Sequence, residues 1–254
     1  MPGLLAATLL GVGAVPGDSV SGPFVWLALE CVLLGLLVPF AVSAEVRRSR
    51  RAPEATDSEG VGSSVGATGI RRSRGRLGGW TGLAVGFAVY LVLRSAVFRA
   101  AGTESGMILA CAAITFAWWA FLGLVTATVA RVASRAGQTG GWIPILAFAA
   151  IAAAVTPFWI DPWVEARTLA SARDRVITLA LDVSPVAAAA RACEHDWLRD
   201  SVLYREGSIG PYYPFDYPGP YAFSLRALGM AFLFYAVGRL ATWRRAEGAG
   251  PFPD

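Results

Sequence analysis

Apolar residues in this 254-residue chain gather into six blocks separated by polar, arginine-bearing stretches. Five of them, residues 24–43, 80–98, 107–130, 142–160 and 221–243, come close to the ~20 helical residues that cross about 30 Å of hydrocarbon. None of the five shows the strict alternation of a half-buried strand; each reads as a helix that is apolar on most of its circumference. The remaining block, residues 3–15, would rise only ~20 Å as a helix and is closed by Pro16-Gly17-Asp18. No basic stretch precedes it, so it reads as a short, tilted or partly inserted helix rather than a cleaved leader. The pattern predicts an all-α polytopic membrane bundle of five spans, with a sixth if residues 3–15 cross.

The polar intervals differ in kind. Residues 45–79 are rich in Arg, Gly and Ser and almost free of large apolar side chains. Such a segment cannot bury enough to fold alone, so it is expected to be a disordered basic loop, with its terminal arginines near anionic lipid. Residues 161–220 are longer and patterned. Asp161-Pro162 has the form of a helix start, and Leu169, Ala172, Val176, Leu179 and Val183 follow at three- or four-residue steps. Ser184-Pro185 repeats the start signal. From it, Val186, Ala190, Cys193, Trp197 and Tyr204 share one side, away from Arg191, His195 and Arg199. Two amphipathic helices are expected, lying on the membrane surface or packed on the ends of the spans. Residues 207–221 then carry four prolines, three glycines and five aromatics, as suits an interfacial belt before a span.

Composition agrees with a membrane domain filling the whole of residues 1–254. The chain is 55% apolar and only 16% charged, with a mean hydropathy of +0.52. All 22 basic residues are arginines, and thirteen of them fall at 47–76, 131–135 and 239–245. Arginine excess marks cytoplasmic loops. Residues 45–79, 131–141 and 244–254 are therefore expected inside a bacterial inner membrane, and 161–220 outside. The outer segment holds six arginines against nine acids. A span over 176–190 would carry Asp182 and Pro185 and would leave Arg244-Arg245 outside, so it is rejected. The net charge of +4 is then an orientation signal, and no nucleic-acid partner is expected.

Chemistry is sparser. Without lysine the chain holds neither a P-loop lysine nor a Schiff-base lysine. Cys31, Cys111 and Cys193 have no metal or redox spacing and read as small buried thiols. The one histidine, His195, stands in Cys193-Glu194-His195-Asp196, but consecutive helix positions point apart and do not converge on one atom. No enzyme motif is present, and no catalytic, metal or cofactor site is expected. Three charges do fall inside apolar blocks: Glu30, Arg94 and Arg226. Charged residues at such positions are rare and generally face the protein interior. Their similar depths suggest a Glu30–Arg226 or Glu30–Arg94 pair within the bundle.

Ser184-Pro185 with its helix, followed by a final span at residues 221–245 ending in arginines, resembles the carboxyl end of type-2 ABC exporter permeases. In that family a proline-initiated outer helix follows the fifth span; Ser184 stands where asparagine is more usual. The resemblance covers under a third of the chain. It implies the transmembrane subunit of an ATP-driven exporter, working as a dimer with a separate ATPase. The contrasting expectation is a noncatalytic structural or assembly subunit, in a hetero-oligomer with other membrane proteins.

Overall fold

The computed structural model describes residues 21–51, 68–135, 141–165, 173–195 and 216–247. Among them it is all-helical: α1 (Ser21–Arg51), α2 (Thr68–Ala100), α3 (Ser105–Arg135), α4 (Trp142–Glu165), α5 (Arg173–Val183), α6 (Pro185–Ala192) and α7 (Pro220–Glu247). Four stretches are long and apolar enough to cross a membrane: Pro23–Arg47, Gly82–Ala100, Ser105–Ala133 and Pro220–Ala241. In α4 the apolar stretch Trp142–Thr156 is shorter, so four of the five expected spans meet the criterion. Residues 3–15 lie outside the described residues.

α1 shows how one helix divides its surface. Phe24, Leu27, Cys31, Leu34, Val38 and Val42 recur at three- or four-residue steps and are buried, while Val25, Leu29, Leu36, Leu37 and Phe40 are exposed. Both faces are apolar, which suits a helix with protein on one side and hydrocarbon on the other. α3 packs against α1, with Cys111, Ile114, Trp118 and Leu122 in the common core, and the Trp118 indole donates to the Cys31 carbonyl at 3.0 Å. α7 runs along α3. There Gly238 lies so close to Thr128 that an added Cβ would overlap the threonine methyl. Gly35 likewise brings α1 against the backbone of Ala150 in α4.

Three expectations are corrected. The arginine-rich interval is helical at both ends, since α1 continues to Arg51 and α2 begins at Thr68. Arginine is a good helix former and suits a helix C-terminus, so nothing at residues 45–51 stops α1. Residues 52–67 lie outside the described residues. Asp161-Pro162 opens no helix either, because α4 runs through it to Glu165. In α5 the covered residues are Ile177, Ala180 and Leu181, whereas Leu179 and Val183 are exposed. Its contacts with α4 and α6 select that face over the one the spacing favoured.

Ser184-Pro185 does start a helix. The Ser184 hydroxyl accepts from the Ala187 N–H at 3.3 Å and donates to the Ala154 carbonyl of α4 at 2.8 Å, while Pro185 fills the first turn, where no N–H is needed. Residues 185–190 are all buried, and α6 touches α1, α3, α4, α5 and α7. Its alanines Ala187–Ala190 keep it thin enough to fit among them. The helix ends at Cys193, with Glu194 in the left-handed region at φ 53°. Trp197 and Tyr204 lie outside the described residues. α6 is thus packed into the bundle rather than spread on its surface.

Ser184→Ala removes the cap and the tie to α4. A cap is worth ~1 kcal/mol, so α6 should open roughly fivefold more often. Alkylation of buried Cys193 by a maleimide, followed by mass spectrometry, should accelerate by that factor, and an unchanged rate contradicts the docking. Gly238→Ala should lower stability by about 1–3 kcal/mol through overpacking, and Thr128→Ala in the same chain should restore most of it. Gly229→Ala, where an added Cβ meets open space, serves as the control in thermal unfolding.

Candidate functional site

Glu30 lies three residues after Leu27 and four before Leu34, within the covered face of α1. The covered stripe of α2 is Phe87, Tyr90, Arg94 and Phe98, again at helical steps. Register on these two helices therefore aims a carboxylate and a guanidinium at the same interior. Arg94 Nη1 meets Glu30 Oε2 at 2.5 Å, with 0% and 1% of the side chains exposed. The same nitrogen donates to Thr115 Oγ1 of α3 at 2.8 Å, and the Thr115 hydroxyl donates to the Cys111 carbonyl at 2.9 Å. Three helices are thus tied at one point. Tyr90, one turn before Arg94, stands beside the carboxylate, and the Phe98 ring lies 5.6 Å from Arg94 Cζ, within cation–π range.

The pair is electrically neutral as a unit, which makes its burial tolerable. An isolated ion in such a place would neutralise itself by changing protonation, and arginine does not do so in practice. Glu30 is therefore what allows Arg94 to sit inside. Attraction between opposite charges is strong at low dielectric, but so is the cost of removing both from water. The result is a tie whose net stabilisation is small and whose rupture is costly.

Of the three intramembrane charges named from the sequence, the structure brings Glu30 and Arg94 together and leaves Arg226 out. Arg226 is 55% exposed and pairs with Asp182 of α5 at 2.5 Å, a contact that ties α7 to the helix pair. His195 is half-buried against Phe24, with ring centroids 5.0 Å apart. Among the described residues no group of three or more His, Cys, Asp or Glu could hold a metal ion. Reading the sequence missed Thr115, because a threonine in an apolar helix carries no visible mark of a charged partner. It also missed that Cys111 and Cys193, distant in the chain, bring their buried thiols together. The neighbouring thiol, and burial after it, holds the Cys193 thiol above the ordinary thiol range.

Comparison with protein-family models, with curated proteins and with solved structures finds no match to this chain.

Removing one member of a buried ion pair typically costs about 3–5 kcal/mol, whereas replacing both with apolar groups is often neutral. Arg94→Leu and Glu30→Gln should each strongly lower the unfolding temperature in detergent, and Glu30→Leu/Arg94→Leu should recover most of the loss. Thr115→Val should cost roughly 1.5–3 kcal/mol, the worth of a hydrogen bond to a charged group. Because all three cysteines are buried, a thiol-reactive dye reads each transition directly. Glu30→Gln with unchanged stability and assembly contradicts the role given to the pair.

Proposed function

We propose that this chain is the transmembrane subunit of an ATP-driven export system whose ATPase is a separate polypeptide. The observation that carries the reading is the buried α6, opened by Ser184-Pro185 and set between the last two long apolar helices. It occupies the place in chain order of the proline-initiated outer helix of type-2 ABC exporter permeases. The orientation is that given by the arginines: residues 45–79 and the basic end of α7 in the cytoplasm of a bacterial cell, and residues 161–220 outside the inner membrane. α4 is 24 residues long, or ~36 Å at 1.5 Å per residue, and serves as the fifth span.

In this arrangement α6 belongs to the outer side of the bundle, packed among α1, α3, α4, α5 and α7. α2 and α7 are the helices through which a second copy would pair, being the least covered spans, with 22% and 17% of their apolar windows buried. The lysine-free sequence agrees with an ATPase supplied by a partner chain. A second reading, a noncatalytic subunit that helps assemble a larger membrane complex, draws on the fully buried tie between α1, α2 and α3, which suits a rigid scaffold.

Purification of the tagged full-length chain from its native membranes in a mild detergent separates the two. A co-purifying P-loop ATPase, with hydrolysis impaired when Ser184→Ala is introduced, is the expected outcome. Stoichiometric recovery with redox or biosynthetic subunits and no ATPase overturns the export reading.

A further inference from the structure

The Glu30–Arg94 pair does not use all its hydrogen-bonding atoms. Arg94 Nη1 serves both Glu30 and Thr115. Arg94 Nε and Nη2, and Glu30 Oε1, are buried and have no hydrogen-bond partner among the described residues. Both side chains are at most 1% exposed, so bulk water does not serve these atoms. Groups of this kind carry the full desolvation penalty unless something meets them, and the penalty is larger for charged groups than for neutral ones.

Two simple physical facts narrow what can meet them. First, Nε–H and the adjacent Nη2–H form one edge of the planar guanidinium, a two-donor fork that takes an oxygen acceptor. Second, Glu30 has already neutralised Arg94. A further anion on the fork would leave a net negative charge in a low-dielectric interior, and a cation on Oε1 would leave a net positive one. The occupant must then be neutral, with an acceptor for the guanidinium edge and, beyond what the neighbouring Tyr90 side chain supplies, a donor for the carboxylate. Water has both within its own dimensions, and buried waters ordinarily make about three bonds to groups like these.

We infer that the Glu30–Arg94 pair is a water-binding site inside the helical bundle, with the Nε–Nη2 edge of Arg94 donating to water and Glu30 Oε1 accepting from it. The site makes the centre of the bundle a wet, polar point between α1, α2 and α3. It does not depend on the export reading, since a scaffold subunit would hydrate the same atoms.

X-ray radiolysis of the intact chain in lipid nanodiscs tests this, because hydroxyl radicals made from bound water oxidise only side chains close to it. Tyr90 and Phe87 are neighbours on α2, 3% and 2% exposed, and differ in that Tyr90 stands beside Glu30 while Phe87 stacks on Trp119. With each rate divided by that of the same residue in the unfolded chain, oxidation of Tyr90 should exceed that of Phe87 several-fold, and should fall to the Phe87 level in Glu30→Leu/Arg94→Leu. Equal, low oxidation of the two in the unaltered chain means that the pair is dry, and overturns the inference. Tyr90 oxidation that persists in the double variant places the water elsewhere and overturns it as well. If the double variant does not fold, the comparison in the unaltered chain still decides.

Discussion

A carboxylate and a guanidinium confined together away from water constrain nearly everything around them. Neither Glu30 nor Arg94 is tolerable alone in such an interior, so α1 and α2 are held at the one rotation and depth that lets the two meet. Thr115 extends the constraint to α3, because the second bond made by Arg94 Nη1 fixes that helix in turn. The stripe of α1 from Phe24 to Val42 and the stripe of α2 from Phe87 to Phe98 then face the interior as a geometric consequence. The charges contribute little net stability. What they supply is register, since sliding either helix by a residue would part them.

Packing elsewhere follows a different rule. Between helices surrounded by hydrocarbon there is little hydrophobic gain in contact, and association depends on close approach and good fit. Small residues appear where helices come nearest: Gly35 against Ala150, Gly238 against Thr128, and the alanines of α6 among the larger helices. Large apolar side chains lie on both sides, with Phe87, Phe98 and Trp118 covered and Phe148 and Phe232 each more than 70% exposed. Small size marks where the helices approach most closely, while apolar residues of every size, Leu27 and Phe87 among them, fill the interior.

That rule explains how much could be read from the sequence. Long apolar blocks and the arginine pattern are properties of whole segments, and the all-helical architecture with four span-length helices follows from them. The Glu30–Arg94 pair was legible as one of two candidates, because a charge in an apolar block demands an opposite partner at similar depth. The choice between Arg94 and Arg226 was not legible, since it turns on Asp182, which lies on a short helix whose docking no local pattern announces. Asp161-Pro162 misled because the signal of a helix start is local, while the continuation of α4 through it belongs to the whole structure. The covered face of α5 misled for a related reason: apolar residues stand on more than one side of it, and docking on α4 and α6 decides which are covered.

The order of synthesis gives the buried pair a further meaning. Glu30 and Arg94 lie on consecutive helices, 64 residues apart. If the helices enter a bilayer in the order they are made, the carboxylate arrives first and waits without its counter-ion until α2 follows. During that interval α1, which holds the most apolar of the four span-length stretches, would carry a carboxylate without its partner. Arrival of Arg94 would supply it, and the two charges would then be buried together. The pair would thereby join α1 and α2 before the third helix adds Thr115 to them.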